Sequence, residues 1–162
     1  MTVGIDTYVD VATADGFVRR MLRTYDEFRV FWSVLSDEEK ESYLLRSTQQ
    51  IDALTFTGAK SDREQRLQFP RNSERELSQA VISAAVYNAL GLMNDEIKST
   101  AEKQMQVFKS LGVFKNPRLD QTSMRAIATA ENAAPTEVKI PLASKKAYEL
   151  LKPYRRGGFA IR

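Results

Sequence analysis

Neither cysteine nor histidine occurs among the 162 residues, and the two absences together remove a large share of protein chemistry. Without cysteine there is no disulfide framework and no thiolate metal site. Without histidine the commonest general base, the commonest metal ligand and the physiological pH switch are missing together. Ser-His and Cys-His triads are therefore excluded. Carboxylate-only chemistry, such as a glycosidase pair or a magnesium site, would survive both absences. The acids show no arrangement that calls for it: Asp37-Glu38-Glu39-Glu41 is explained by helix-dipole complementation. The expectation is a protein that is not an enzyme and has no metal and no cofactor. Glycine is scarce, and the one Gly pair, Gly157-Gly158, precedes no helix and lacks the Lys-Ser/Thr of a phosphate loop. No apolar run reaches the length of a membrane span. The N-terminus shows no basic segment followed by an apolar run. The chain is expected to be soluble, made in a cytoplasm, with no membrane partner.

What is present is a lopsided charge. Residues 139–162 carry seven basic side chains against one acid, Glu149, in a chain of net +3, so the remainder is slightly acidic at −3. Basic tails engage nucleic acid, acidic membrane surfaces or acidic protein grooves. Tyr154, Phe159 and Ile161 add apolar side chains that a purely electrostatic tail would not need. A helical domain over residues 1–152 and a basic arm over 153–162 is the economical division.

The body reads as all-α, a small bundle of about four to five helices. Asp10 caps a first helix starting near Val11, with Ala14, Phe17, Val18 and Met21 on one stripe and Arg19, Arg20 and Arg23 on other faces. Tyr25 to Leu35 reads as a turn and a short helical piece. Its aromatics, Phe28, Phe31 and Trp32, are expected to cover the first helix. Stacking of single-stranded nucleic acid on Tyr25, Phe28, Phe31 and Trp32 is the competing explanation. Because Asp26 and Glu27 sit among them beside Arg23 and Arg29, core packing is the better account. Ser36 to Glu39 is a capping box opening a second long helix through Leu44, Thr48 and Ile51, which Gly58 is expected to end. Ser73 to Glu76 reads as another capping box, opening an Ala-rich helix with Leu77, Val81, Ala84, Ala85, Val86, Ala89 and Leu90. Gly91 and Asn94 should loosen its end, and a further amphipathic stretch follows with Ile97, Ala101, Met105 and Phe108. Near 105–118 a short β-hairpin or extended segment is open, and residues 120–136 are undecided between weak helix and loop. Pro141 should start a last short helix carrying Leu142, Ala147, Leu150 and Leu151, with Pro153 stopping it.

Two clusters carry a resemblance. The first is Ile51-Asp52-x-Leu54-x-Phe56-x-Gly58 followed by Gln65-x-Leu67-x-Phe69-Pro70-Arg71. In it Phe56, Leu67 and Phe69 should be buried and Arg66 and Arg71 should point elsewhere. The second is the flanking set of Tyr8 to Phe17, Glu39 to Ile51, Leu77 to Leu92 and Ala147 to Tyr154. Together they resemble the small helical head–tail connector (adaptor) proteins of tailed bacteriophages, a family also labelled DnaT-like single-stranded-DNA-binding. Residues from about 100 to 135 take no part in the resemblance. It implies a structural virion protein that forms a ring with itself, a dodecamer, beneath the portal protein. Such a ring extends the DNA channel, offers a platform to a tail or stopper protein, and lets genomic double-stranded DNA pass without specific binding. The portal contact is then expected from the arm, through Tyr154, Arg155, Arg156, Phe159, Ile161 and Arg162. The motif residues Gly58, Gln65, Leu67, Phe69, Pro70 and Arg71 are expected to be structural. The alternative is a single-stranded-DNA-binding or primosome-like accessory protein. The slightly acidic body favours the connector, because a DNA-binding protein is expected to be basic over its folded part.

Overall fold

A computed structural model describes residues 1–110 and 140–155. Among them are five α-helices and no strand: α1 (Val11–Met21), α2 (Glu27–Val34), α3 (Asp37–Asp52), α4 (Gln79–Ser110) and α5 (Lys145–Leu151), followed by a 3₁₀ turn over Lys152–Tyr154. The expected all-α bundle is what forms. The chain divides into two compact units, one of residues 1–95 with 140–162 and one of residues 96–139. No helix among the described residues is long and apolar enough to cross a membrane.

Local chemistry sets the first three helices. Asp10 caps α1 by accepting the Thr13 N–H at 2.7 Å, and its carboxyl is held below the usual range by its hydrogen bonds to Thr13. Asp26 caps α2 through the Phe28 N–H. Ser36 and Glu39 close a reciprocal capping box on α3, with Asp37, Glu38 and Glu39 in its first turn. There they complement the positive end of the helix dipole.

Polar bonds then fix how the helices of the first unit meet. Thr7 Oγ1 and Thr48 Oγ1 lie 3.2 Å apart, and Ser47 Oγ donates to the Ala85 carbonyl at 2.7 Å. Asn88, fully buried, donates to Gln50 Oε1 and accepts the Ser144 N–H. One side chain thus ties α4 to α3 and to the approach to α5. Around these bonds pack Phe17, Leu44, Ile51, Val81, Val86, Met93 and Leu151.

Several expectations need correction. Met21 is not on the buried stripe but 56 % exposed, since α1 ends there and Leu22 turns extended. Gly58 does not end α3, which stops at Asp52 with Ala53 as its cap; Gly58 instead turns the loop beyond at φ +77°. Ser73 does not open α4. Asn72 and Ser73 both take positive φ, a left-handed backbone incompatible with a helix start. Ser78 supplies the first bonds instead, to Val81 and Ile82. Gly91 and Asn94 do not loosen the helix, which runs on unbroken to Ser110. Residues 105–110 are accordingly helical and not a hairpin; residues 111–118 and 120–136 lie outside the described residues, as do the side chains of Ala101, Met105 and Phe108. Pro141 precedes α5 without starting it, because Ser144 is the residue that caps it through Ala147 N–H.

Candidate functional site

The motif loop, residues 53–78, is built inward. Phe69 is buried and meets three rings edge-on: Phe56 at 4.7 Å, Tyr154 at 5.0 Å and Tyr8 at 5.9 Å between centroids. Leu67 is buried and Phe56 only half-buried. The Phe69–Pro70 peptide is cis. Arg71, expected to point elsewhere, is only 6 % exposed. Its guanidinium donates to the Thr57 carbonyl at 3.1 Å, the Gly58 carbonyl at 2.5 Å and Gln68 Oε1 at 2.8 Å. Gln65 bridges the Leu67 and Pro70 carbonyls. At Gly58 a Cβ would overlap the Asn72 side chain. Arg66 does stay outside, 3.7 Å from Asp6. The donors of Arg71 and Gln65 are thus spent on their own loop. Beneath it, Asp52 Oδ1 accepts both the Tyr8 hydroxyl and the Gln68 N–H. Burial pushes the Asp52 carboxyl and the Tyr8 hydroxyl up from their ordinary pKa values.

The surface that faces solvent with chemistry to offer is the corner between α1 and α2. Trp32 is buried, and its indole N–H donates to Asp15 at 2.7 Å; Lys40 pairs with the same carboxylate at 3.2 Å. Arg29 donates to the Arg19 and Leu22 carbonyls, satisfying the end of α1. These bonds fix α2 with Trp32 inward. The opposite face of α2, Val30, Phe31 and Val34, is left exposed. Only Trp32 of the four aromatics expected to pack is buried: Phe28 is half-buried, Phe31 is 41 % exposed and Tyr25, at the turn, 94 %. The preference for core packing over stacking therefore fails for Tyr25 and Phe31. Arg19 and Arg20 at the end of α1 and Arg23 just after it are also exposed.

A hollow of about 280 Å³ between α1, α2 and α3 contains Arg29 and Lys40, but both are already bonded as just described. A second cleft, about 390 Å³, opens beside the same corner between Phe28, Tyr87, Leu90, Lys145 and Lys146. Among the described residues no group of three carboxylates could hold a metal ion.

The arm residues separate. Tyr154 is half-buried on Phe69, its hydroxyl 2.8 Å from Ser78 Oγ and its carbonyl accepting the Thr57 N–H. Arg155 lies with its guanidinium 4.6 Å from the Tyr148 ring centroid. Arg156, Phe159, Ile161 and Arg162 lie outside the described residues.

Over residues 1–154 the chain matches the family described as "Putative DnaT-like ssDNA binding protein". The chain belongs to that family. No curated protein and no solved structure matches it. The family's description names single-stranded DNA and no virion role, so the head–tail connector is not what the match supplies. Nothing in the sequence pointed to Tyr87, and Lys145 and Lys146 entered only as members of the basic segment 139–162. Their one local signal was a lysine pair in the first turn of a helix, where cations oppose the dipole.

Proposed function

We propose that the chain binds single-stranded nucleic acid, through the corner between α1 and α2. The observation that carries this reading is the exposure of Tyr25 and Phe31 in a stretch of chain whose preceding arginines, Arg19, Arg20 and Arg23, are exposed as well. Aromatic faces accept unstacked bases of any identity, while the guanidiniums meet the phosphates between them. A duplex hides its base faces, so the same surface prefers single strands. The body outside residues 139–162, slightly acidic at −3 in a chain of net +3, does not oppose this, because the local cluster and not the net charge is what the strand meets. Fluorescence anisotropy with labelled oligothymidylate and its duplex, over a salt series, tests the reading. Tyr25→Ala should weaken single-strand binding by about 1–3 kcal/mol, and Arg19→Glu with Arg20→Glu should also flatten the salt dependence. Equal binding of duplex and single strand, or indifference to both changes, would sink it.

A second reading, the ring-forming connector that docks to a portal and to a tail or stopper protein, is favoured by a different observation. Val30, Phe31 and Val34 form an uncovered apolar strip on α2, the kind of surface subunits bury against one another. Sedimentation and electron microscopy of the purified protein test it. A ring that Val34→Glu disperses without loss of oligonucleotide binding would support this reading; a monomer at high concentration would remove it.

A further inference from the structure

The cleft of about 390 Å³ in the first unit lies next to the surface just proposed to bind single strands, and its walls differ from that surface. Its volume falls in the range of small-ligand sites, roughly 300–1,000 Å³. Leu90 and Tyr87 are buried at its base and Phe28 is half-buried beside them. The Tyr87 ring is held edge-on against Phe17 at 5.2 Å, so its orientation is fixed before anything arrives. Lys146 Nζ stands 4.2 Å from the centroid of that ring. Lys145 and Lys146 occupy the first turn of α5 with no acid beside them in that turn, and neither makes an ion pair with a described residue. Cations there weaken the helix slightly. α3 shows the opposite choice, with three acids in its first turn. Two ammonium groups in a first turn without an acid, one of them over a fixed aromatic ring, run against the dipole preference that α3 follows, and such breaks mark functional positions.

We propose that this cleft takes one nucleotide of a bound single strand, with the base against Phe28 and the part of Tyr87 that Lys146 Nζ gives up, as Lys146 turns with Lys145 to the phosphate. The proposal rests on the single-strand reading and deepens it. Purely apolar ligands leave the lysines unused, and free phosphate leaves the aromatic wall unused. A nucleotide satisfies both. Asp26 at the rim commits one carboxylate oxygen to the Phe28 N–H, and its other oxygen is an acceptor for an N–H of the base, such as the N3–H of thymine.

The test pairs Lys145→Gln/Lys146→Gln, both exposed, with photocrosslinking of wild-type protein to an oligonucleotide carrying 5-bromodeoxyuridine. The double variant should bind oligothymidylate roughly tenfold more weakly, with a salt slope shallower by about 0.7 for each phosphate that the lysines no longer neutralise. The crosslinked peptide should contain Tyr87 or Phe28. Thymidine monophosphate should compete for the site better than inorganic phosphate at equal ionic strength. Unchanged affinity of the double variant with crosslinks confined to Tyr25 or Phe31 would overturn the cleft and leave the single-strand reading standing. Equal competition by inorganic phosphate would overturn the base subsite. Wild-type protein that binds no oligonucleotide would overturn both.

Discussion

Asp52 holds an unusual position: one carboxylate oxygen accepts from the Tyr8 hydroxyl and the Gln68 backbone together, under the aromatic cluster of the motif loop. Burial raises its pKa despite those bonds and the nearby charge of Lys60. A carboxyl whose pKa is higher in the folded than in the unfolded chain contributes its stability below the unfolded value, and loses it as pH rises through the folded value. Asn at this position keeps an acceptor oxygen and never ionises. Asp52→Asn should therefore match the wild type in acid and become the more stable protein as pH rises towards neutrality. Asp52→Leu, which leaves the buried Tyr8 hydroxyl without its acceptor and the Gln68 N–H with the Tyr8 oxygen alone, should be the less stable protein throughout. Urea titrations across that pH range check both. A gap between Asp52→Asn and wild type that shrinks as pH rises would contradict the account.

At the scale of elements, α4 is where sequence and structure part most instructively. Gly91 sits in mid-helix because a Cβ there would stand 2.7 Å from the Ala143 carbonyl oxygen. Glycine in a helix interior costs about 1 kcal/mol relative to alanine, whereas overpacking costs roughly 1–3 kcal/mol. Gly91→Ala should thus destabilise the first unit despite better helix propensity, by a net of roughly 0–2 kcal/mol. A raised melting temperature would contradict the close approach. The helices with local signals, α1 and α3, are legible because Asp10 and the Ser36–Glu39 pair act within four residues of themselves. The start of α4 is not, since Ser73-Glu74-Arg75-Glu76 has the capping-box spacing while Arg71 binds the loop into left-handed turns just before it. Gly91 reads as a helix breaker because Ala143, which explains it, is far away in sequence. The corner between α1 and α2 is opaque for a similar reason. Which of four neighbouring aromatics goes inward is decided by Asp15 and Lys40, one on α1 and one on α3, and pattern within the segment cannot show it.

For the molecule as a whole, Tyr154 matters more than a position in a terminal arm suggests. Its ring closes one side of Phe69, its hydroxyl reaches Ser78 and its carbonyl accepts Thr57 N–H. Truncation after Lys152, expected from sequence to leave a folded subunit, should instead remove about 2–4 kcal/mol of packing and bonding. That corresponds to a melting temperature lower by roughly 5–15 °C in a chain of this length. Tyr154→Phe should recover most of it, and circular dichroism melts of the two variants check the order. A truncated protein as stable as the full chain would return Tyr154 to the arm.

The first unit takes its parts from both sides of residues 96–139, and this has a consequence during synthesis. Ser144 and Tyr154, which bond to Asn88, Ser78 and Thr57, leave the ribosome some fifty residues or more after their partners. At translation rates of about 5–20 residues per second, that delay is several seconds. Through it Asn88, Phe69 and the apolar face of α4 wait uncovered on a nascent chain. The protein is therefore most exposed to miscontact before it is finished, and slower elongation through 96–139 prolongs that exposure.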